Sequence, residues 1–195
     1  LNIIYPVILK VPEKNPPLAP RERVKFLSSH ARKALEISSI KSGYGQFKPL
    51  KDKKGVPLPF KKKYWSLTHK PQYVGGVTAD FKIGMDIEEI KRIRGCKKAL
   101  RKKTATEKEW ELGHYDNFEL FFRYWTAKES VIKAEGSGIR DLLKCRIIEL
   151  IDDYNLVIHY NKKDWIVEHH FFQGHMASVV KNSCRVKWIK TPGTP

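Results

Sequence analysis

At 195 residues and 22.7 kDa, the chain fits one domain, or two small halves sharing a core, at ~150 residues per domain. Hydrophobic residues at 41% and aromatics at 11% supply enough apolar surface to offset chain ordering, which excludes a disordered chain. Lys+Arg 38 against Asp+Glu 21 gives +17, a field that draws nucleic acid, an acidic protein or a phosphorylated small molecule without choosing among them.

The chain opens with a strand-like apolar run, Ile3 to Val11, followed by a prolyl stretch, Pro12 to Pro17, that cannot be helical. From about Pro20 to Ser38, Val24, Leu27, Ala31, Ala34 and Leu35 recur at three and four, the period of an amphipathic helix. Residues 42–63 are rich in Gly, Pro and Lys and read as loop. Strands are expected over Tyr64–Thr68, Tyr73–Ala79 and Lys82–Ile87, then a basic stretch over 91–106. A second helical pattern runs from Glu119 to Ala134 and should close at Gly136 or Gly138, where glycine takes the left-handed conformation. Cys145 to Lys190 alternates in Ile, Val, Tyr and Trp, as strands do.

Tyr73-Val74-Gly75-Gly76-Val77-Thr78 loosely matches His175-Met176-Ala177-Ser178-Val179-Val180. This suits an α+β fold of two similar α+β halves, residues 1–81 and 82–190 with a tail over 191–195, and a site between them. No apolar run reaches the ~20 residues needed to span a bilayer, and the N-terminus shows no secretory signal pattern, so a soluble cytoplasmic protein is expected. Cys96, Cys145 and Cys184 lack CxxC spacing and are expected as reduced thiols, neither disulfide framework nor zinc site.

Three constellations carry chemistry. In Ile83-Gly84-Met85-Asp86-Ile87-Glu88, strand alternation would project Asp86 and Glu88 together and send Met85 and Ile87 into the core. Carboxylates about 7 Å apart at their Cα atoms can turn toward one hard divalent ion; the same spacing also describes an ordinary strand with a polar outer face. On a helix, Trp125, Glu129 and Lys133 share one stripe. Glu129 and Lys133 could be a plain surface pair, but their flanks are so apolar that the helix should be buried and its carboxylate in need of a partner. Thr68-His69-Lys70, entering a turn at Pro71, would suit a phosphate cradle, although a lone histidine is more often structural. His169 and His170 should point to opposite strand faces, and His30, His114, His159 and His175 have no evident partner.

Together, Ile83–Glu88, the run Phe122-Arg123-Tyr124-Trp125-Thr126-Ala127-Lys128-Glu129-Ser130-Val131-Ile132-Lys133 and Gly136-Ser137-Gly138-Ile139 resemble the 4′-phosphopantetheinyl transferase family. That family carries a (V/I)G(V/I)D(I)E strand and a W-(S/T)-x-K-E-(A/S)-x-x-K helix followed by a glycine pair. Thr68-His69 resembles its Ser-His element, and the length is similar to the larger, surfactin-type subgroup, whose members are monomers. The close resemblance covers about residues 65–139.

What the resemblance implies is a Mg²⁺-dependent transfer of 4′-phosphopantetheine from coenzyme A to a serine hydroxyl of an apo acyl or peptidyl carrier protein, releasing adenosine 3′,5′-bisphosphate. Two halves related by a pseudo-twofold would hold coenzyme A in the cleft between them. By the same resemblance Asp86, Glu88 and Glu129 would be the Mg²⁺ ligands, and Glu129, directly or through water, would take the serine proton. Lys133 would neutralise charge on the splitting pyrophosphate. His69 with Thr68 would hold the 3′-phosphate, Lys128 would help to place phosphate, and Arg23 is a further 3′-phosphate candidate. Two positions depart from the pattern. Gly55-Val56-Pro57 stands where the family often has Gly-Lys-Pro, and Lys70 follows the histidine where serine is usual. Lys70 could replace the missing lysine.

Coenzyme A is a polyanion and carriers are commonly acidic, so the basic stretch of Lys91, Arg92, Arg94, Lys97, Lys98, Arg101, Lys102 and Lys103 is either a carrier-docking surface or a solvated loop. The runner-up function is a basic nucleic-acid-binding protein, but its lysines do not interleave with aromatics and it leaves the three carboxylates unexplained.

Overall fold

Pro6 divides the first apolar run. It cannot donate to a ladder, and the expected strand splits into β1 (Ile3–Ile4) and β2 (Val7–Lys10). The computed structural model describes residues 2–14, 16–91, 97–113 and 118–191, the side chains of Lys97, Lys98 and Thr191 aside. After β2 come helix α1 (Pro20–Lys41), a small hairpin of β3 (Leu50–Lys51) and β4 (Pro57–Leu58), and strands β5 (Tyr64–His69), β6 (Tyr73–Ala79) and β7 (Met85–Glu89). Helices α2 (Lys97–Thr104), α3 (Glu107–Glu111) and α4 (Phe118–Glu135) follow. Strands β8 (Arg146–Leu150), β9 (Asn155–Tyr160), β10 (Lys163–Phe172), β11 (His175–Val180), β12 (Arg185–Val186) and β13 (Ile189–Thr191) complete a mixed α+β architecture.

Two sheets form the centre. The first has the order β13-β2-β6-β5 and the second the order β7-β11-β10-β9-β8. Helix α1 buries Leu27, Ala31, Ala34 and Leu35 on the first sheet, against Val7, Leu9 and Val74. Gly76 permits this approach, because a Cβ there would lie 2.5 Å from the Leu35 backbone nitrogen. The opposite face of that sheet meets the second across Ile4, Ile8, Val77, Ala79, Met85, Ile87, Ala177 and Val179. On the far side α4 lies over β7 and β11, with Tyr124, Ala127 and Val131 in a core shared with Leu156, Ile158, Trp165 and Met176. The result is a helix–sheet–sheet–helix stack. The chain also returns across the expected 81/82 boundary, since β13 pairs in parallel with β2 inside the first sheet.

Asp86 and Glu88 do share a face, turned toward α4, while Met85 and Ile87 enter the core between the sheets. Helix α4 approaches unusually closely: a Cβ on Gly84 would sit 1.8 Å from the Ser130 carbonyl oxygen. The helix closes at Gly136, whose φ of +76° is left-handed and whose N–H donates to the Ile132 carbonyl. Cys145 and Cys184 are buried free thiols; Cys96 lies outside the described residues. Among the described residues no helix is long and apolar enough to cross a membrane.

Candidate active site

The site forms where two sheet edges meet under α4. Strand β5 ends the first sheet and β7 ends the second, so neither edge has a ladder partner there. Side-chain hydroxyls fill the gap. Ser66 Oγ accepts from the Met85 N–H at 3.1 Å and Thr68 Oγ1 from the Ile87 N–H at 3.3 Å. Buried backbone donors need such partners, and these two hydroxyls fix β7 at the end of β5.

Helix α4 reaches the same strand from above. The Trp125, Glu129 and Lys133 stripe faces β7: Lys133 Nζ donates to Asp86 Oδ1 at 2.7 Å and to the Met85 carbonyl at 3.3 Å, and the Trp125 indole N–H donates to Glu88 Oε1 at 3.2 Å. Lys133 stands 4.0 Å from Glu129, so its principal partner is across the cleft and not the helical neighbour of a surface pair. Lys70 Nζ donates to Glu88 Oε1 at 2.6 Å. Asp86 also receives the Thr68 hydroxyl at 3.1 Å on Oδ1, while its Oδ2 is buried without a partner.

Burial in this charged recess moves the proton affinities. Glu129 is pushed up to about 7, first by burial and then by the negative charges of Asp86 and Glu88, with Lys133 and Lys70 pulling the other way. Burial lowers His69, and the positive charges of Lys133, Lys70 and Lys51 lower it further, so its imidazole is neutral near pH 7. Burial would lower Lys70, but its hydrogen bond to Glu88 and the charges of Glu88, Asp86 and Glu129 leave it raised and firmly cationic.

The donor set suits a hard cation. Among the described residues no three His, Cys, Asp or Glu side chains converge as a finished metal cage, because lysines hold one oxygen each of Asp86 and Glu88. Mg²⁺ asks for less than a cage: one or two protein carboxylates, with water and phosphate completing its shell. Asp86 Oδ2, buried and unpaired beside Glu88 and Glu129, offers the first of these.

Two of the residues expected at phosphate have other partners. Lys128 is fully buried on the other side of α4, where Nζ lies 2.6 Å from Glu109 Oε1 and donates to the Thr104 carbonyl at 2.8 Å, so it cannot place phosphate. Thr68 is 3% exposed and its hydroxyl donates to Asp86 Oδ1, so in this structure it orients a carboxylate. Arg23 is exposed on the first turns of α1. Val56, in place of the lysine, lies against Gly136 at the end of α4. His169 and His170 take opposite faces as expected, the first buried on Ser178 and the second stacked with Trp188. His159 pairs with Asp164 and His175 with Gln72, partners the sequence did not disclose; His114 lies outside the described residues. Sequence reasoning gave Trp125 no role, although its place on the stripe of Glu129 was the available signal.

Comparison with known proteins agrees with this geometry. A family model described as the 4′-phosphopantetheinyl transferase superfamily matches residues 82–180, from the turn before β7 to the end of β11. The chain is 29% identical over 119 residues to the 4′-phosphopantetheinyl transferase gsp of Aneurinibacillus migulanus, an alignment covering 59% of this chain and 50% of that protein. It thus spans about half the length of the curated relative it matches.

Proposed function

Because the chain belongs to the 4′-phosphopantetheinyl transferase superfamily, we propose that it transfers 4′-phosphopantetheine from coenzyme A to a serine hydroxyl of an apo carrier protein. The other product is adenosine 3′,5′-bisphosphate. The observation that carries this reading is the meeting of Asp86, Glu88 and Glu129 with Lys133, Lys70 and His69 where β5, β7 and α4 converge.

A serine hydroxyl is a poor nucleophile near neutral pH and needs a positioned base. Glu129, on the face of α4 turned to the recess and 4.0 Å from Lys133, is that base in this reading. Asp86, Glu88 and Glu129 would hold Mg²⁺, with Thr68 and Trp125 fixing the first two. Bound there, the ion supplies positive charge to the pyrophosphate as it splits. Lys133, between Asp86 and Glu129, adds a second cation to the same developing charge. His69, neutral in the free protein, gains a proton when the dianionic 3′-phosphate of coenzyme A arrives, and Arg23 is its partner from α1. In this reading coenzyme A lies in the cleft between the two helix-covered sheets, which act as pseudo-equivalent halves of a cytoplasmic, monomeric, surfactin-type enzyme.

The carrier presents an acidic surface to α2, where Lys102 and Lys103 are exposed. Arg101 of the same stretch lies 4.5 Å over the Trp110 ring, while Arg92 and Arg94 lie outside the described residues. The test is the intact mass of an apo carrier protein incubated with this chain, coenzyme A and Mg²⁺. A phosphopantetheine-sized gain, absent with EDTA and with Glu129→Gln, is expected. No gain across acyl and peptidyl carriers would overturn the assignment.

A further inference from the structure

Asp86 and Glu88 are each already held by a lysine, yet the two lysines differ in setting. Lys133 is anchored twice, on Asp86 Oδ1 and on the Met85 carbonyl, and leaves Asp86 Oδ2 open. Lys70 stands beyond the end of β5, its backbone N–H fixed on the Tyr73 carbonyl at 2.8 Å. Its side chain crosses the gap between the sheets to Glu88 Oε1 and remains 30% exposed. Glu88 Oε1 is thus shared between the Trp125 indole, a neutral donor on a rigid helix, and an ammonium on a flexible four-carbon stem. With Glu129 ionised, three carboxylates facing two lysines leave the recess one negative charge in excess, and a divalent cation reverses that sign. Both lysines are 30% exposed, but Lys70 is held by one acceptor and Lys133 by two, so Lys70 is the more easily released.

We infer that Lys70 is a resident counter-ion for Glu88. It holds the carboxylate while the cleft is empty, competes with a divalent cation for it, and turns to an anionic substrate once the cation binds. It is a positioning residue, and the inference rests on the metal reading of Asp86, Glu88 and Glu129 given above. Two opposite effects follow from one side chain. Lys70 weakens binding of the metal alone, because the metal must displace or crowd an ammonium already in contact with its ligand. It strengthens binding of a phosphorylated substrate in the presence of metal, because the released ammonium then lies beside His69 at the mouth of the site.

The experiment titrates the metal-free full chain with Mn²⁺, following loss of the free-ion signal by electron paramagnetic resonance, for the native protein, Lys70→Met, Lys70→Arg and Asp86→Asn. Lys70→Met should bind Mn²⁺ about tenfold more tightly than the native protein, as expected when a contact cation is removed from a ligand. Lys70→Arg should return the affinity to the native range, and Asp86→Asn should lose binding. By calorimetry, Lys70→Met should weaken coenzyme A binding when Mn²⁺ is present and leave it unchanged in EDTA. Lys70→Gln serves if the methionine variant does not fold. Equal or weaker Mn²⁺ binding by Lys70→Met or Lys70→Gln, with Asp86→Asn still lost, overturns the role of Lys70 and leaves the metal site standing. Native-like Mn²⁺ binding by Asp86→Asn overturns both.

Discussion

Replacing Glu129 with glutamine should stabilise the metal-free protein at alkaline pH and change it little near pH 5. Burial, Asp86 and Glu88 push the carboxyl from its ordinary 4.5 up to about 7. Between those values the folded protein keeps a proton that the unfolded chain has released. Stability therefore falls as pH rises from 4.5 to 7 and is level beyond. At about 1.36 kcal/mol per pH unit the whole loss is about 3 kcal/mol, most of it between pH 5 and pH 8. Glutamine has the shape of the neutral acid and no proton to lose, so the variant escapes this penalty. With a urea dependence of about 2 kcal/mol per molar, its midpoint should gain about 1 M on the native protein between pH 5 and pH 8. Saturating Mg²⁺ should erase that gain, because a cation bound to the folded state favours the ionised carboxylate. A midpoint difference that is the same at both pH values, or a variant less stable than the native protein at pH 8, would refute the electrostatic account of the recess.

The buried pair on the other side of α4 should behave in the opposite way. Lys128→Met strands Glu109, which is 4% exposed, and should cost about 3–5 kcal/mol in urea unfolding; a cost under about 1 kcal/mol would mean that the pair is not shielded from water. Gly84→Ala drives a methyl group into the Ser130 carbonyl and should cost more than about 3 kcal/mol, whereas Gly138→Ala, at positive φ but in open space, should cost about 1–2 kcal/mol by thermal melting. Similar costs at the two glycines would argue against the close seat of α4. Lys102→Glu with Lys103→Glu should raise the KM for an acidic carrier several-fold and leave that for coenzyme A nearly unchanged. An equal loss for both substrates would count against docking on α2.

Periodicity carried much of the architecture. The spacing of Val24, Leu27, Ala31, Ala34 and Leu35 marked the buried face of α1 at all but Val24, which is exposed near the start of the helix, and alternation through Met85, Asp86, Ile87 and Glu88 separated core from site, because both are local consequences of backbone geometry. Lys128 could have been placed by the same reasoning, since it falls a turn from Tyr124 and Val131 on the apolar face of α4. Its partner Glu109 could not, because the α3 that carries it is a single short turn. The role of Thr68 was hidden for another reason. Its hydroxyl meets Asp86 because two sheet edges abut, and the abutment of edges depends on the whole topology and on no local pattern. The parallel pairing of β13 with β2 is equally non-local. Lys70 was visible as a departure from the expected motif, but only the 2.6 Å contact with Glu88 gives the departure a physical meaning.

That last pairing sets an order of events during synthesis. Val7–Leu9 leaves the ribosome about 180 positions ahead of its outer neighbour Ile189–Thr191, an interval of roughly 10–40 s at translation speeds of about 5–20 residues per second. Through that interval one edge of β2 has no partner from its own chain, although β7 and α4, which carry the carboxylates, have already been made. The seat of α1 is therefore finished after the strand and helix that carry the carboxylates have appeared. A cut or fusion placed just after Cys184 would be felt first at the opposite end of the sequence, in the layer where β2 supports α1.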